Sequence, residues 1–199
     1  MNCNGLRWNQ IESKNMKRRQ VVNNSLATVA ILFAVALFMP GKALAHCDTM
    51  DGPVVKAAQR ALVTRNVNLV LIWVQKKDEP EIKQRFRQTL AVRRLSREAR
   101  KLADDYFFET VVRLHRAGEG EPYTGIQPAG TDLGPVIPVA DKALQDSSAE
   151  ALLKLFPSNA SADIQARFRD TIAKRRFNEN DVEAGREYVK AYVLLLHYL

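Results

Sequence analysis

Cysteine is scarce in this chain: two in 199 residues, so a disulfide framework is excluded. No cysteine pair stands at zinc-site spacing, and the sequence has neither a glycine-rich phosphate loop nor a nucleophile elbow. Nine glycines and eight prolines are too few for a collagenous or low-complexity polymer. The longest uncharged apolar run, from Leu26 to Met39, is about 14 residues, short of the roughly 20 that a stable membrane anchor needs. What is there has ordinary globular composition, 46% hydrophobic and 26% charged, with a formal net charge of +8.

That charge is unevenly placed. Lys17-Arg18-Arg19 precedes the apolar run, Pro40-Gly41 breaks it, and Ala43-Leu44-Ala45 follows. A basic start, a short apolar core and an Ala-x-Ala end are the parts of a secretory signal peptide, so residues 1–45 are expected to be removed after Ala45 on the way to a periplasmic or secreted location. Six basic residues (Arg7, Lys14, Lys17, Arg18, Arg19, Lys42) and one acid (Glu12) would leave with it. From totals of 30 and 22, that leaves 24 basic and 21 acidic side chains on a single domain, 46–199, a net of about +3. Nucleic-acid binding loses its main support, and no membrane association is expected after cleavage.

Residues 46–199 read as helices. Gly52-Pro53 opens the first, with Val54, Ala57, Ala58, Ala61 and Leu62 at helical spacing. Leu69–Val74 has strand composition among helical neighbours and is read as a buried helix. A helix with Ile82, Phe86, Leu90 and Leu95 on its apolar side follows Asp78-Glu79-Pro80. A long one follows Ser96, with Leu102, Ala103, Tyr106, Phe107, Val111 and Leu114 on its apolar side. Gly118 to Pro138 holds five glycines and four prolines and is expected to be a long irregular loop, either functional or disordered. Ser147 and Glu150 have capping-box spacing, Ser161 or Asp163 starts a further helix, and Asn180 caps the last. The expected architecture is all-α: a helical bundle of about four main helices, plus short helices and one long Gly/Pro-rich loop.

Cleavage after Ala45 would create a new N-terminus, His46-Cys47-Asp48-Thr49-Met50-Asp51-Gly52-Pro53. An N-terminal histidine offers two nitrogens to one metal, its free α-amine and its imidazole, and Cys47 adds an amide and a thiolate. Imidazole and thiolate suit copper and nickel, and the α-amine loses its proton more readily than lysine. His115 is a further candidate ligand, at the end of the long helix beside the Gly-rich loop, with Glu109, Glu119 and Tyr123 as groups that orient it. A surface histidine favoured by the helix dipole is the competing reading of His115, and His197, near the chain end, reads as structural.

The hook His46-Cys47-Asp48-x-x-Asp51-Gly52 resembles the N-terminal metal hook of nickel superoxide dismutase, a small helical bundle that also begins with this histidine after processing. His46, Cys47 and Gly52 match that pattern, and Asp48 matches some members. Asp51 stands where the family has its second cysteine. The resemblance covers about seven residues. The chain is also similar to a group of exported helical proteins of unknown function that start His-Cys-Asp. The resemblance implies a redox metal held by His46 and Cys47, the candidate catalytic pair, with Asp51 or His115 completing the ligand set and Asp48 beside it. Loss of one thiolate favours copper over nickel. The resulting expectation is an exported copper-dependent, less readily nickel-dependent, superoxide dismutase acting on superoxide or another small anion. A non-catalytic metal carrier or sensor, or a helical interaction protein, are the alternatives, and homo-oligomerisation is left open. The basic clusters Lys83-Arg85-Arg87, Arg93-Arg94-Arg97-Arg100 and Lys174-Arg175-Arg176 either steer an anion or are solvated helix faces; their interleaved acids favour the second.

Overall fold

The computed structural model describes residues 43–199, with side chains from His46 onward. The leader expected over residues 1–45 therefore lies outside the described side chains. Among the described residues the fold is all-α. A 3-10 turn, Ala43–Asp48, leads into α1 (Pro53–Thr64) and the short α2 (Asn68–Leu71). A second 3-10 turn, Lys76–Asp78, precedes α3 (Glu79–Val92) and the long α4 (Arg97–Glu119). After the loop come α5 (Val136–Asp146), short α6 (Glu150–Leu153), α7 (Ser158–Lys174) and α8 (Val182–Tyr198). No helix among the described residues is long and apolar enough to cross a membrane.

One face of each main helix supplies the core. Val54, Val55, Ala58 and Ala61 of α1 are sealed from solvent, and so are Ile82 of α3, Phe107 and Val111 of α4, Ile164 of α7 and Leu195 of α8. Each large aliphatic or aromatic side chain buried this way stabilises the fold by about 1.5–3 kcal/mol. Helices α7 and α8 pack together, and α4 packs on both α1 and α3. Leu69–Val74 is buried as expected, forming α2 and the turn after it. At Gly185 an added Cβ would come 2.3 Å from Ile72 Cγ2, so glycine is what lets α8 approach this segment.

Helix ends differ from the sequence expectation where several polar residues compete for the cap. The Asp181 carboxylate, not Asn180, accepts from Ala184 N–H at 3.0 Å and caps α8. Ser147 closes α5 in a left-handed conformation (φ 59°) rather than opening α6, and α7 begins at Ser158, ahead of Ser161. Ser96 caps α4 as read, accepting from Ala99 N–H at 3.0 Å. Leu95, Leu102 and Tyr106 are exposed. Ala103, Phe107, Val111 and Leu114 define the buried stripe of α4, and Leu102, Tyr106, Glu109 and Arg113 line its opposite face. Tyr106 lies under the Arg85 guanidinium, 5.6 Å from ring centroid to Cζ.

Candidate metal centre at the His46 hook

The segment His46–Thr49 is buried although three of its four side chains are polar. Two features hold it there. The loop after α4 lays one bridge against it, with Gln127 N–H donating to Asp48 O at 2.8 Å and Met50 N–H donating to Gln127 O at 2.9 Å. The hook then folds back tightly: Gly52 N–H donates to Thr49 O, and an added Cβ at Gly52 would lie 2.3 Å from His46 O. Only glycine fits that approach.

The His46 ring enters a polar triangle. Its Nε2 lies 3.0 Å from Asp141 Oδ2 on α5 and 3.0 Å from Tyr192 Oη on α8, and the Tyr192 hydroxyl donates to Asp141 Oδ1 at 3.1 Å. Burial, the Asp141 charge and its hydrogen bond hold the Tyr192 phenol well above its ordinary pKa, so it keeps its proton. A carboxylate on Nε2 selects the Nε2–H tautomer and leaves the lone pair on Nδ1, which is buried and has no hydrogen-bond partner. A cavity of about 400 Å³ opens beside this triangle, lined by Trp73, Tyr188 and the cationic Lys56 and Arg175.

Cys47 is the free cysteine of the described residues and is buried. Desolvation pushes its thiol pKa far up, and the charges of Glu119, Asp48 and Asp141 push it further, against the pull of Arg116. Without a metal ion beside it, this thiol is protonated. Asp48 Oδ2 faces Arg116 Nε at 3.3 Å. His115 is buried and not a surface residue: its Nδ1–H donates to Trp73 O at 2.8 Å, and its ring stands edge-on to Trp73. Its Nε2 lies 3.4 Å from Glu119 Oε1, and neither atom makes a hydrogen bond. Burial lowers its pKa, so the ring is neutral near pH 7.

The remaining candidates are spread more widely. Asp51 is exposed, and its Oδ2 accepts from Gly130 N–H at 3.1 Å, which ties the hook to the loop. Tyr123 has a buried hydroxyl, near enough to Glu109 and Asp48 for both charges to raise its pKa after burial does. Glu109 itself is exposed, and so is His197. No sequence pattern marks Asp141, Tyr192, Trp73 or Arg116 as site residues. Asp141 and Tyr192 lie 95 and 146 positions from His46, and no local pattern announces such partners.

Among the described residues no three His, Cys, Asp or Glu side chains gather as a ready-made metal cage. The donor set at the hook still fits a metal in one specific respect. His46 has one ring nitrogen anchored by a carboxylate and the other buried and unused, the arrangement that metal-binding histidines adopt. A further donor, the His46 α-amine, exists only once the peptide bond to Ala45 is cut.

A family of unknown function, DUF6448, matches residues 51–198. The chain belongs to that family. Within this DUF6448 chain the matched segment carries Asp141, Tyr192, His115, Arg116 and Glu119, whereas His46, Cys47 and Asp48 precede it. No curated protein and no solved structure matches the chain.

Proposed function

We propose that the processed protein is an exported copper-binding superoxide dismutase whose site is completed by cleavage after Ala45. The observation that carries this reading is the His46 ring: Nε2 fixed by Asp141 and Tyr192, Nδ1 buried and unpaired. The α-amine and Nδ1 of His46 would hold the ion together with Cys47 Sγ, while His115 Nε2 faces Glu119 Oε1 and does not gather with them. Nickel is the alternative ion. Asp51 is the weaker candidate ligand, since its carboxylate already serves Gly130. A copper ion, when bound, supplies one-electron redox chemistry and lowers the thiol pKa.

The chain's own residues do the rest. Dismutation consumes two superoxide anions and two protons and yields dioxygen and hydrogen peroxide. Lys56 and Arg175 are the cationic groups at the cavity beside His46, where they would meet an incoming anion in competition with Asp51 and Asp141. Asp141 keeps the imidazole oriented, and Tyr192 holds its proton on Oη, donated to Asp141. The loop over Asp48–Met50 keeps the hook out of water.

Intact mass and elemental analysis of the protein exported from its own leader test this reading. It predicts a chain starting at His46 with about one copper per protomer and superoxide turnover that Cys47→Ser abolishes. A His46 start without bound metal overturns the metal reading. Full metal loading with no turnover would instead support a carrier, a reading that the burial of Cys47 favours.

A further inference from the structure

Several surface lysines are neutralised locally. Lys83, Lys101, Lys142, Lys154 and Lys174 each pair with an acid one helical turn away. The corner where α1 ends and α3 turns into α4 is different. A cavity of about 350 Å³ there is lined by Arg65, Arg87, Arg93, Arg94 and Arg100, over a floor that includes Leu62 and Leu90. Two of the arginines build the corner: Arg93 pairs with Asp104 and donates to Leu62 O, and Arg100 donates to Arg93 O. Among the described residues Asp104 is the only carboxylate bonded to any of the five. Arg65, Arg87 and Arg94 are exposed, and among the described residues their side chains make no hydrogen bond or ion pair. Arg65 also ends α1 in a left-handed conformation (φ 57°), a place usually taken by glycine, and it lines the cavity.

Guanidiniums gathered around one hollow repel each other, and a multiply charged anion relieves that repulsion. Their planar donor forks match phosphate oxygens two at a time. We propose that this corner is a binding site for a phosphate-bearing anion carrying at least two negative charges, separate from the His46 centre. The phosphate reaches it either on a small soluble ligand or on an anionic lipid headgroup.

Calorimetric titration of the full chain with pyrophosphate at low ionic strength tests the site. The expected result is saturable binding that weakens at least tenfold in Arg65→Ala/Arg87→Ala/Arg94→Ala, whose circular dichroism stays that of the parent because none of the three side chains is paired. Arg94→Lys, which keeps the charge and loses the fork, should fall between. Competition by phosphatidylglycerol vesicles but not phosphatidylcholine vesicles identifies a lipid source, and indifference to both identifies a soluble one. Absence of binding at millimolar pyrophosphate, or equal affinity in the triple variant, overturns the proposal.

Discussion

Asp48 and Arg116 face each other across 3.3 Å with side chains only 3% and 6% exposed, and this pair fastens the hook to the last turn of α4. Arg116 also lies 3.4 Å from Glu119 Oε2 and 3.9 Å from Glu121 Oε2, so one guanidinium serves three carboxylates. Arg116→Met should therefore cost about 3–5 kcal/mol in urea unfolding, because it strands buried charge. Asp48→Asn should cost much less, since Arg116 keeps its glutamates. Equal losses in the two variants would count against this account.

Asp48 also sets a pH dependence. Burial pushes its pKa up to about 6, Arg116 opposes the rise and Glu119 adds to it. An acid whose folded pKa is raised favours the fold fully below its unfolded value, near 4, and loses that contribution as pH rises through about 6. Between pH 4 and 6.5 the wild type should thus lose stability relative to Asp48→Asn. Parallel stability curves for the two proteins would rule the effect out.

Gly52→Ala should destabilise by about 1–3 kcal/mol, because its Cβ would meet backbone oxygen and the Thr49 hydroxyl rather than a movable side-chain end. The denaturant midpoint should fall with an unchanged slope. A neutral substitution would mean that the hook can open without loss.

Cys47 should resist thiol reagents in the folded, metal-free chain at mildly alkaline pH, since burial keeps it in the unreactive protonated form. Labelling in concentrated guanidinium should proceed at an ordinary rate. Fast labelling of the native protein would place the thiol in contact with solvent.

If His46 holds a metal, Asp141→Asn should weaken metal affinity about 10–100-fold while leaving the helical signal intact, because the carboxylate fixes which ring nitrogen is free. Competition with a chelator measures this without any activity assay.

The all-α fold was legible in the sequence because apolar residues recur at helical spacing in α1, α3, α4 and α8, and that periodicity marks an apolar face for burial. It failed where a helix has two faces with apolar residues, as at Leu102 and Tyr106, since spacing cannot say which one meets the neighbouring helix. The hook drew attention through residue type: a histidine and a cysteine together after an Ala-x-Ala sequence.

His46, Cys47, Gly52 and the expected processing site are properties of the sequence by itself, for they depend on which residues stand next to one another. Tertiary structure alone decided that Asp141 and Tyr192 meet His46, that His115 is buried against Trp73 and that Arg116 neutralises Asp48. These partners come from α4, α5, α8 and the turn after α2. They meet because each helix must bury its apolar face, and the polar groups carried inward on those faces must then find one another away from water.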